Sequence, residues 1–303
     1  MKGYKMKLKT NIDDLEARLP DEFTYLEKKY PTVAFNVHDW GDGRNDRNRG
    51  KNILLTTEGY CTIPDNYNPA FMRQYDVTIT SNAKIKEMYP DINIRLMNAP
   101  VRMDDFYVFE EFIPYDKKIK GICSIQKVYD TGKEGDINYL KHTVMRDLNL
   151  GNDFAVHTYG PYPFGRAESY KGYLGYKYNH YENFKKLNEY QFCWCPEPIY
   201  HPIGSYNWVT ERLFNCFRSK TIAVYYGCYN IEDIVPTHLF VDYRQFKNVN
   251  ELGRYLLWLS RDQKRYIDIV EMAYQWNLTC KLGDIGILEG ILQDCVKKYP
   301  FTK

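Results

Sequence analysis

Several short signals that settle a function at once are missing from this sequence. There is no P-loop and no G-x-G-x-x-G run, which excludes the two common glycine-rich phosphate cradles. No apolar stretch approaches the ~20 residues that cross a bilayer, and the first residues carry no apolar leader core. A soluble, cytoplasmic chain without a transmembrane segment is therefore expected. The basic, aromatic tail from Lys297 to Lys303 could give weak contact with an anionic membrane surface, but a short solvated end is the simpler explanation. An excess of one charge is also lacking. The net charge is +2 and the 29 tyrosines are scattered, not set in a basic stripe, so nothing argues for a nucleic-acid partner. The eight cysteines show no repeated spacing, which points to reduced, buried thiols and not to a disulfide or metal framework. Cys193 and Cys195 are expected to face opposite sides of a strand, and so not to share a metal.

What is present is an alternation of strand and helix patterns. At 303 residues the chain has material for two domains with a core each. Its most ordered stretch runs from Tyr190 to Tyr226. Gln191 to Cys195 is short, apolar and aromatic, as a buried strand would be. A loop containing proline, tyrosine and glycine follows, from Pro196 to Asn207. From Trp208 the spacing of Val209, Leu213, Phe214 and Phe217 predicts a helix, with Asn207 as N-cap and Glu211 in the first turn. Thr221 to Tyr226, β-branched and aromatic, predicts the next strand, closed by Gly227. A helix N-terminus behind such a loop is a natural place for an anion.

The earlier chain reads in the same way. Lys5 to Lys9 alternates like a half-buried strand, Asp13 to Lys29 suits a helix broken at Pro20, and Thr32 to Val37 suits a strand. A polar, charged loop from Gly41 to Lys51 precedes an apolar strand, Asn52 to Thr57, which delivers Glu58 at its end. Ligands of open α/β sheets bind beyond the carboxyl ends of strands, so Glu58 is a candidate general base. A surface glutamate at a strand end reads identically. Further strands are predicted over 76–80, 92–96, 119–126 and 154–158, and a helix over 139–148. The irregular stretch from Pro100 to Lys120 predicts a connection near residue 115, hence domains of 1–115 and 116–303. His157 and His238, on apolar strands, are expected to be structural, and His201 is a weaker acid/base candidate.

The run Trp208-Val209-Thr210-Glu211-Arg212-Leu213, followed by Thr221-Ile222-Ala223-Val224-Tyr225-Tyr226-Gly227, resembles the donor-site signature of family 10 glycosyltransferases, the α1,3/α1,4-fucosyltransferases. The similarity continues through Pro236, Phe240-Val241, Glu251-Leu252, Tyr255-Leu256, Leu259, Tyr266 and Trp276. It is clear over the last half of the chain and faint over the first. The resemblance implies an α/β protein of GT-B architecture, two Rossmann-like domains facing across a cleft, the first binding acceptor and the second the nucleotide sugar. It implies an inverting transfer of fucose from GDP-fucose to a glycan hydroxyl, and a bacterial or virus-encoded member without the usual anchor.

By the same resemblance, Glu211 and Arg212 match the pair that holds ribose and phosphates, with arginine replacing lysine as a planar fork. Lys141 stands nearest to the family's diphosphate-binding arginine, with Arg146 a turn beyond. Glu197 stands nearest to a glutamate of the sugar pocket, but Pro196 and Pro198 flank it and it lies further from Thr210-Glu211 than the family pattern has it. Tyr206, Asn207, Trp208 and Thr210 complete the expected donor-binding set, the aromatic pair either stacking on the ligand or packing. Glu58 matches the family's catalytic acidic residue. No D-x-D metal handle occurs, so no cofactor is expected, with Mn²⁺ at most stimulating. The departing diphosphate would then lean on Arg212 and the helix N-terminus. Two alternatives stay open: the same fold serving another nucleotide sugar, and a catalytically silent glycan- or nucleotide-binding protein.

Overall fold

Strands rich in β-branched and aromatic residues pair in parallel throughout the described part of this chain, with helices covering them. The computed structural model describes residues 8–10, 35–38, 51–56, 59–61, 63–97, 111–128, 131–174 and 180–280. These fall into two compact units. One holds the described residues within Met1–Met103 together with Pro202–Trp208, the other those within Asp104–His201 together with Val209–Cys280. The helix expected over 13–29, the loop expected over 41–51 apart from Lys51, which opens a strand, Glu58 and the basic tail lie outside the described residues.

In the first unit five parallel strands lie side by side in chain order: β1 (Leu8–Thr10), β2 (Phe35–His38), β3 (Lys51–Thr56), β4 (Val77–Thr80) and β5 (Ile94–Leu96). Every residue of β4 is buried, as suits a parallel strand covered on both faces. Two short helices, α1 (Pro69–Met72) and α2 (Ala83–Met88), each begin at an asparagine whose side chain accepts a backbone N–H of the first turn. Phe71, Met72 and Ile85 from these helices close a core with Leu54, Ile92 and Ile94. Ile203 packs against that core, and its carbonyl accepts a hydrogen bond from Asn82 Nδ2 at 2.6 Å. The stretch Pro202–Trp208 therefore belongs with the first unit although it lies far from it in sequence.

The second unit holds β6 (Ile119–Ile125), β7 (Ala155–Tyr159), β8 (Tyr190–Trp194), β9 (Ile222–Tyr225) and β10 (Val241–Asp242), in the spatial order β10-β9-β8-β6-β7. Its helices are α3 (Asn138–Asp147), α4 (His180–Asn188), α5 (Glu211–Arg218), α6 (Val249–Leu259) and α7 (Gln263–Thr279). Ile122, Phe192, Trp194 and Val224 of the strands meet Val144, Leu252, Leu256 and Val270 of the helices in one core. The chain steps from β6 out to β7, then returns to the other side of β6 to lay down β8. The winding thus reverses between β6 and β8, where doubly wound sheets open a crevice at their carboxyl ends.

Three expectations need correction. The helix predicted from Trp208 starts at Glu211, and its N-cap is Thr210, not Asn207. Thr210 is extended, with its hydroxyl turned to the Arg212 N–H, whereas Asn207 holds a left-handed φ of 56° that an N-cap does not use. At the other end α5 stops in a Schellman arrangement. Lys220 N donates to Phe217 O, Thr221 N donates to Cys216 O, and Lys220 takes the left-handed position usually given to glycine. Lys220 is held there by Glu271 at 2.6 Å and by the faces of Phe112 and Tyr274. Second, Cys193 and Cys195 do not face opposite ways. They are two residues apart on an extended chain, and a period of two puts them on the same face, with Trp194 on the other. The backbone N–H of Cys195 still pairs with Val224 O, and both thiols interact with Cys216 of α5. Third, His238 lies exposed in a short 3-10 turn instead of on a strand.

Candidate functional site

A cavity of ≈ 190 Å³ opens at the reversal point, within the second unit. Gln126 and Lys127, just past β6, form one wall, and Trp194 and Cys195, at the end of β8, another. Asn183 and Leu187 of α4 and Glu211, Arg212 and Asn215 of α5 complete it. The helices stand here because their apolar faces are needed elsewhere. Leu213, Phe214, Cys216 and Phe217 of α5 are all buried, which turns Glu211 and Arg212 toward the crevice.

Beside the crevice Glu197 forms the hub of a buried network. Its side chain has no exposure at all. Oε1 accepts from Thr210 N at 2.7 Å and from the Tyr225 hydroxyl at 3.3 Å. Oε2 accepts from Thr210 Oγ1 at 2.8 Å and from Arg212 Nη1 at 3.0 Å. A carboxylate so placed satisfies the orphan donors and the positive end of α5 at once. Burial pushes its pKa above the ordinary carboxylate range, while Arg212 and the Thr210 N–H pull it back. Gly227 leaves the room this requires, since a Cβ there would fall 2.3 Å from both Cβ and Cγ of Glu197. Glu197 thus fixes the direction of Arg212, whose side chain keeps 33% of its surface exposed.

Gln126 adds a polar group that sequence reading missed. It is 7% exposed, and its Nε2 donates to Trp194 O at 3.1 Å and to Ser124 Oγ. Its Oε1 is buried without a hydrogen-bond partner among the described residues. A buried acceptor left unpaired costs about 1–3 kcal/mol, a cost a ligand donor in the crevice would offset. The rule that singled out Glu58, position just past a strand's carboxyl end, applies equally to Gln126.

The other expected residues are distributed as follows. Thr210, Glu211, Arg212 and Glu197 come together at the start of α5. Lys141 is 2% exposed on α3 and Arg146 is paired with Asp147, and neither is among the residues lining the crevice. Tyr206, Asn207 and Trp208 belong to the first unit, where Lys84 Nζ sits 5.0 Å above the Tyr206 ring and Trp208 is buried. His157 bonds Tyr190 through Nδ1 at 2.8 Å, a structural pairing, and His201 Nε2 lies 3.7 Å from Glu134. Among the described residues no group of His, Cys, Asp and Glu is disposed to hold a metal ion, and no helix is long and apolar enough to cross a membrane.

Comparison with known proteins finds likeness in both sequence and fold. Residues 141–284 match the profile of glycosyltransferase family 10 (fucosyltransferase), C-terminal part. An α-(1,3)-fucosyltransferase of Helicobacter pylori is 28% identical over 108 residues, 36% of this chain and 21% of that protein. An α-(1,4)-fucosyltransferase of Arabidopsis thaliana is 28% identical over 88 residues, 29% of this chain and 21% of that protein. These matches thus span about a fifth of each curated relative. A crystal structure of an α1,3-fucosyltransferase with GDP superposes with a TM-score of 0.62 at 14% identity, covering 98% of this chain and 91% of that one. The fold is the α/β fold of the GT-B glycosyltransferases. The segment from Lys141 to Asp284, which carries Glu197, Thr210, Glu211 and Arg212, is thus similar to the C-terminal part of the family 10 glycosyltransferases.

Proposed function

We propose that the chain is an inverting fucosyltransferase, moving fucose from GDP-fucose to a hydroxyl of a glycan acceptor. The observation that carries this reading is the crevice at the β6/β8 reversal, with Arg212 held on its wall by a buried carboxylate. Residues 116–303 would supply the donor side and residues 1–115 the acceptor side. Arg212 and the first turn of α5 would neutralise the diphosphate as it leaves, and Glu211 would accept hydrogen bonds from the ribose hydroxyls. Gln126 Oε1 offers an acceptor for a donor group of the same ligand. Lys141 would act at most through the field of its charge. Glu58 would take the proton of the attacking hydroxyl. Attack opposite the departing GDP inverts the anomeric centre, so a β-linked donor gives an α-linked product.

Isothermal calorimetry with GDP tests the donor site. Arg212→Ala should weaken binding by about 1.5–3 kcal/mol, the worth of a charge-assisted hydrogen bond. A thermal melt of the same variant separates that loss from unfolding, because Arg212 also partners Glu197. Unchanged GDP affinity would remove Arg212 from the donor site. With charge stabilisation assigned to protein groups, transfer should also survive chelation by EDTA. Complete loss, restored by Mn²⁺, would sink that account.

One observation favours a second reading, in which the same fold uses another nucleotide sugar. Glu197, the nearest match to the family's sugar-pocket glutamate, has all its oxygens engaged inside the protein. A thermal-shift panel of nucleotide sugars separates the readings, because only the matching donor raises Tm strongly.

A further inference from the structure

Sulfur atoms line the same crevice, and the transfer chemistry has no use for them. Cys193 and Cys195 come from the end of β8 and Cys216 from α5, all three at its wall. Cys216 Sγ lies 3.9 Å from Cys195 Sγ, in direct contact, and Cys195 in turn points its thiol at Val224 O. Cys216 stands one helical turn after Arg212, and Cys195 two residues before Glu197, so the contact bridges the two elements that hold the charged hub. Among the described residues all seven cysteines are thiols.

We propose that Cys195 and Cys216 are a peroxide-sensitive modification site, closing to an intramolecular disulfide when a small hydroperoxide enters the crevice. One sulfur, as thiolate, attacks a peroxide oxygen. The O–O bond breaks, and the sulfur becomes a sulfenic acid while hydroxide leaves and takes up the proton released by that thiol. The second sulfur then attacks the sulfenic sulfur. The S–S bond forms, water departs with the second thiol proton, and the two electrons lost by sulfur have reduced the peroxide. The sulfurs must approach from contact distance to a bonded ~2.05 Å. Burial, the neighbouring Cys193 thiol and the charge of Glu197 push the Cys195 thiol above its ordinary pKa, and hydrogen bonds with Cys193 and Cys195, then burial, do the same for Cys216, so closure should be slow near neutrality and faster as pH rises. None of this requires the crevice to hold a nucleotide.

The test is peptide mapping by mass spectrometry of the full chain after hydrogen peroxide, with remaining thiols alkylated. The expected product is a peptide pair joined through Cys195 and Cys216, lighter by two hydrogens, reversed by dithiothreitol and formed faster at alkaline pH. Cys216→Ser and Cys195→Ser should each abolish it while leaving oxidation of Cys280 unchanged. Full alkylation of both cysteines, irreversible oxidation without a cross-link, or a cross-link through Cys193 would overturn the assignment. Adding GDP distinguishes this inference from the donor-site reading. Protection supports both, whereas a cross-link formed equally fast with GDP leaves the thiol pair standing and counts against the nucleotide.

Discussion

Replacing Glu58 by glutamine is expected to lower kcat for transfer by about 10²–10⁴-fold while leaving GDP affinity unchanged, the signature of a lost general base. In the sequence the residue comes two positions after Thr56, the last residue of the parallel strand β3. The reasoning is that of the β6/β8 crevice: side chains just beyond strand ends meet ligands. A carboxylate touching the acceptor alone contributes to the chemical step and not to nucleotide binding, hence the predicted split. The assay pairs initial rates of transfer with calorimetric binding of GDP. Transfer near the wild-type rate would make Glu58 an ordinary strand-end glutamate. The base would then be sought at His201, because Glu197 is buried and its oxygens are fully engaged.

Glu197→Ala is expected to cost about 3 kcal/mol of stability, the lower end for removing one partner of a buried ion pair. The lower end applies because Arg212, one-third exposed, can turn to water once its partner is gone. The loss would come mainly from the Thr210 N–H and hydroxyl and from the Tyr225 hydroxyl, which the methyl group leaves without their acceptor. Glu197→Gln should cost less, since a carbonyl oxygen still accepts from Thr210 N. Urea unfolding monitored by far-UV circular dichroism gives both values. An unchanged midpoint for Glu197→Ala would show that the network does not hold the start of α5. Because Arg212 is directed by Glu197, the alanine variant should also weaken GDP binding even where it remains folded.

The sequence by itself determined the kind of fold. Parallel strands buried on both faces must be written as β-branched and aromatic runs, and helices between them as amphipathic ones. The strands β6 to β9 and the helix α3 accordingly lie within a residue or two of where their patterns put them. The ordered run through Thr210-Glu211-Arg212 marked the neighbourhood of α5, whose start the spacing put three residues early, at Trp208. Local pattern was weaker where the backbone had a choice. Asn207 and Thr210 are both acceptable caps, and which one serves was settled by Glu197, thirteen residues before Thr210 in the chain, taking the Thr210 N–H. Cys193 and Cys195 share a face because residues two apart on an extended chain do so, a consequence of the strand period alone.

Only the tertiary structure decided what meets what. Glu197 reads from sequence as a loop glutamate with prolines on both sides, fit for a sugar pocket. Folding buries it against Tyr225 and Gly227 from β9 and the turn beyond it, where it serves as a clamp on Arg212. Lys141, which linear alignment brings nearest to a diphosphate ligand, is buried on α3, while Gln126, which no motif marks, stands at the crevice. The meeting of Cys195 with Cys216 depends on α5 packing back across the end of β8. Periodicity is a property of neighbours in the chain and can be read there. A site assembled from the ends of β6, β8 and β9 depends on the order in which strands lie in the sheet, and the energies that select that order come from contacts between residues far apart in sequence.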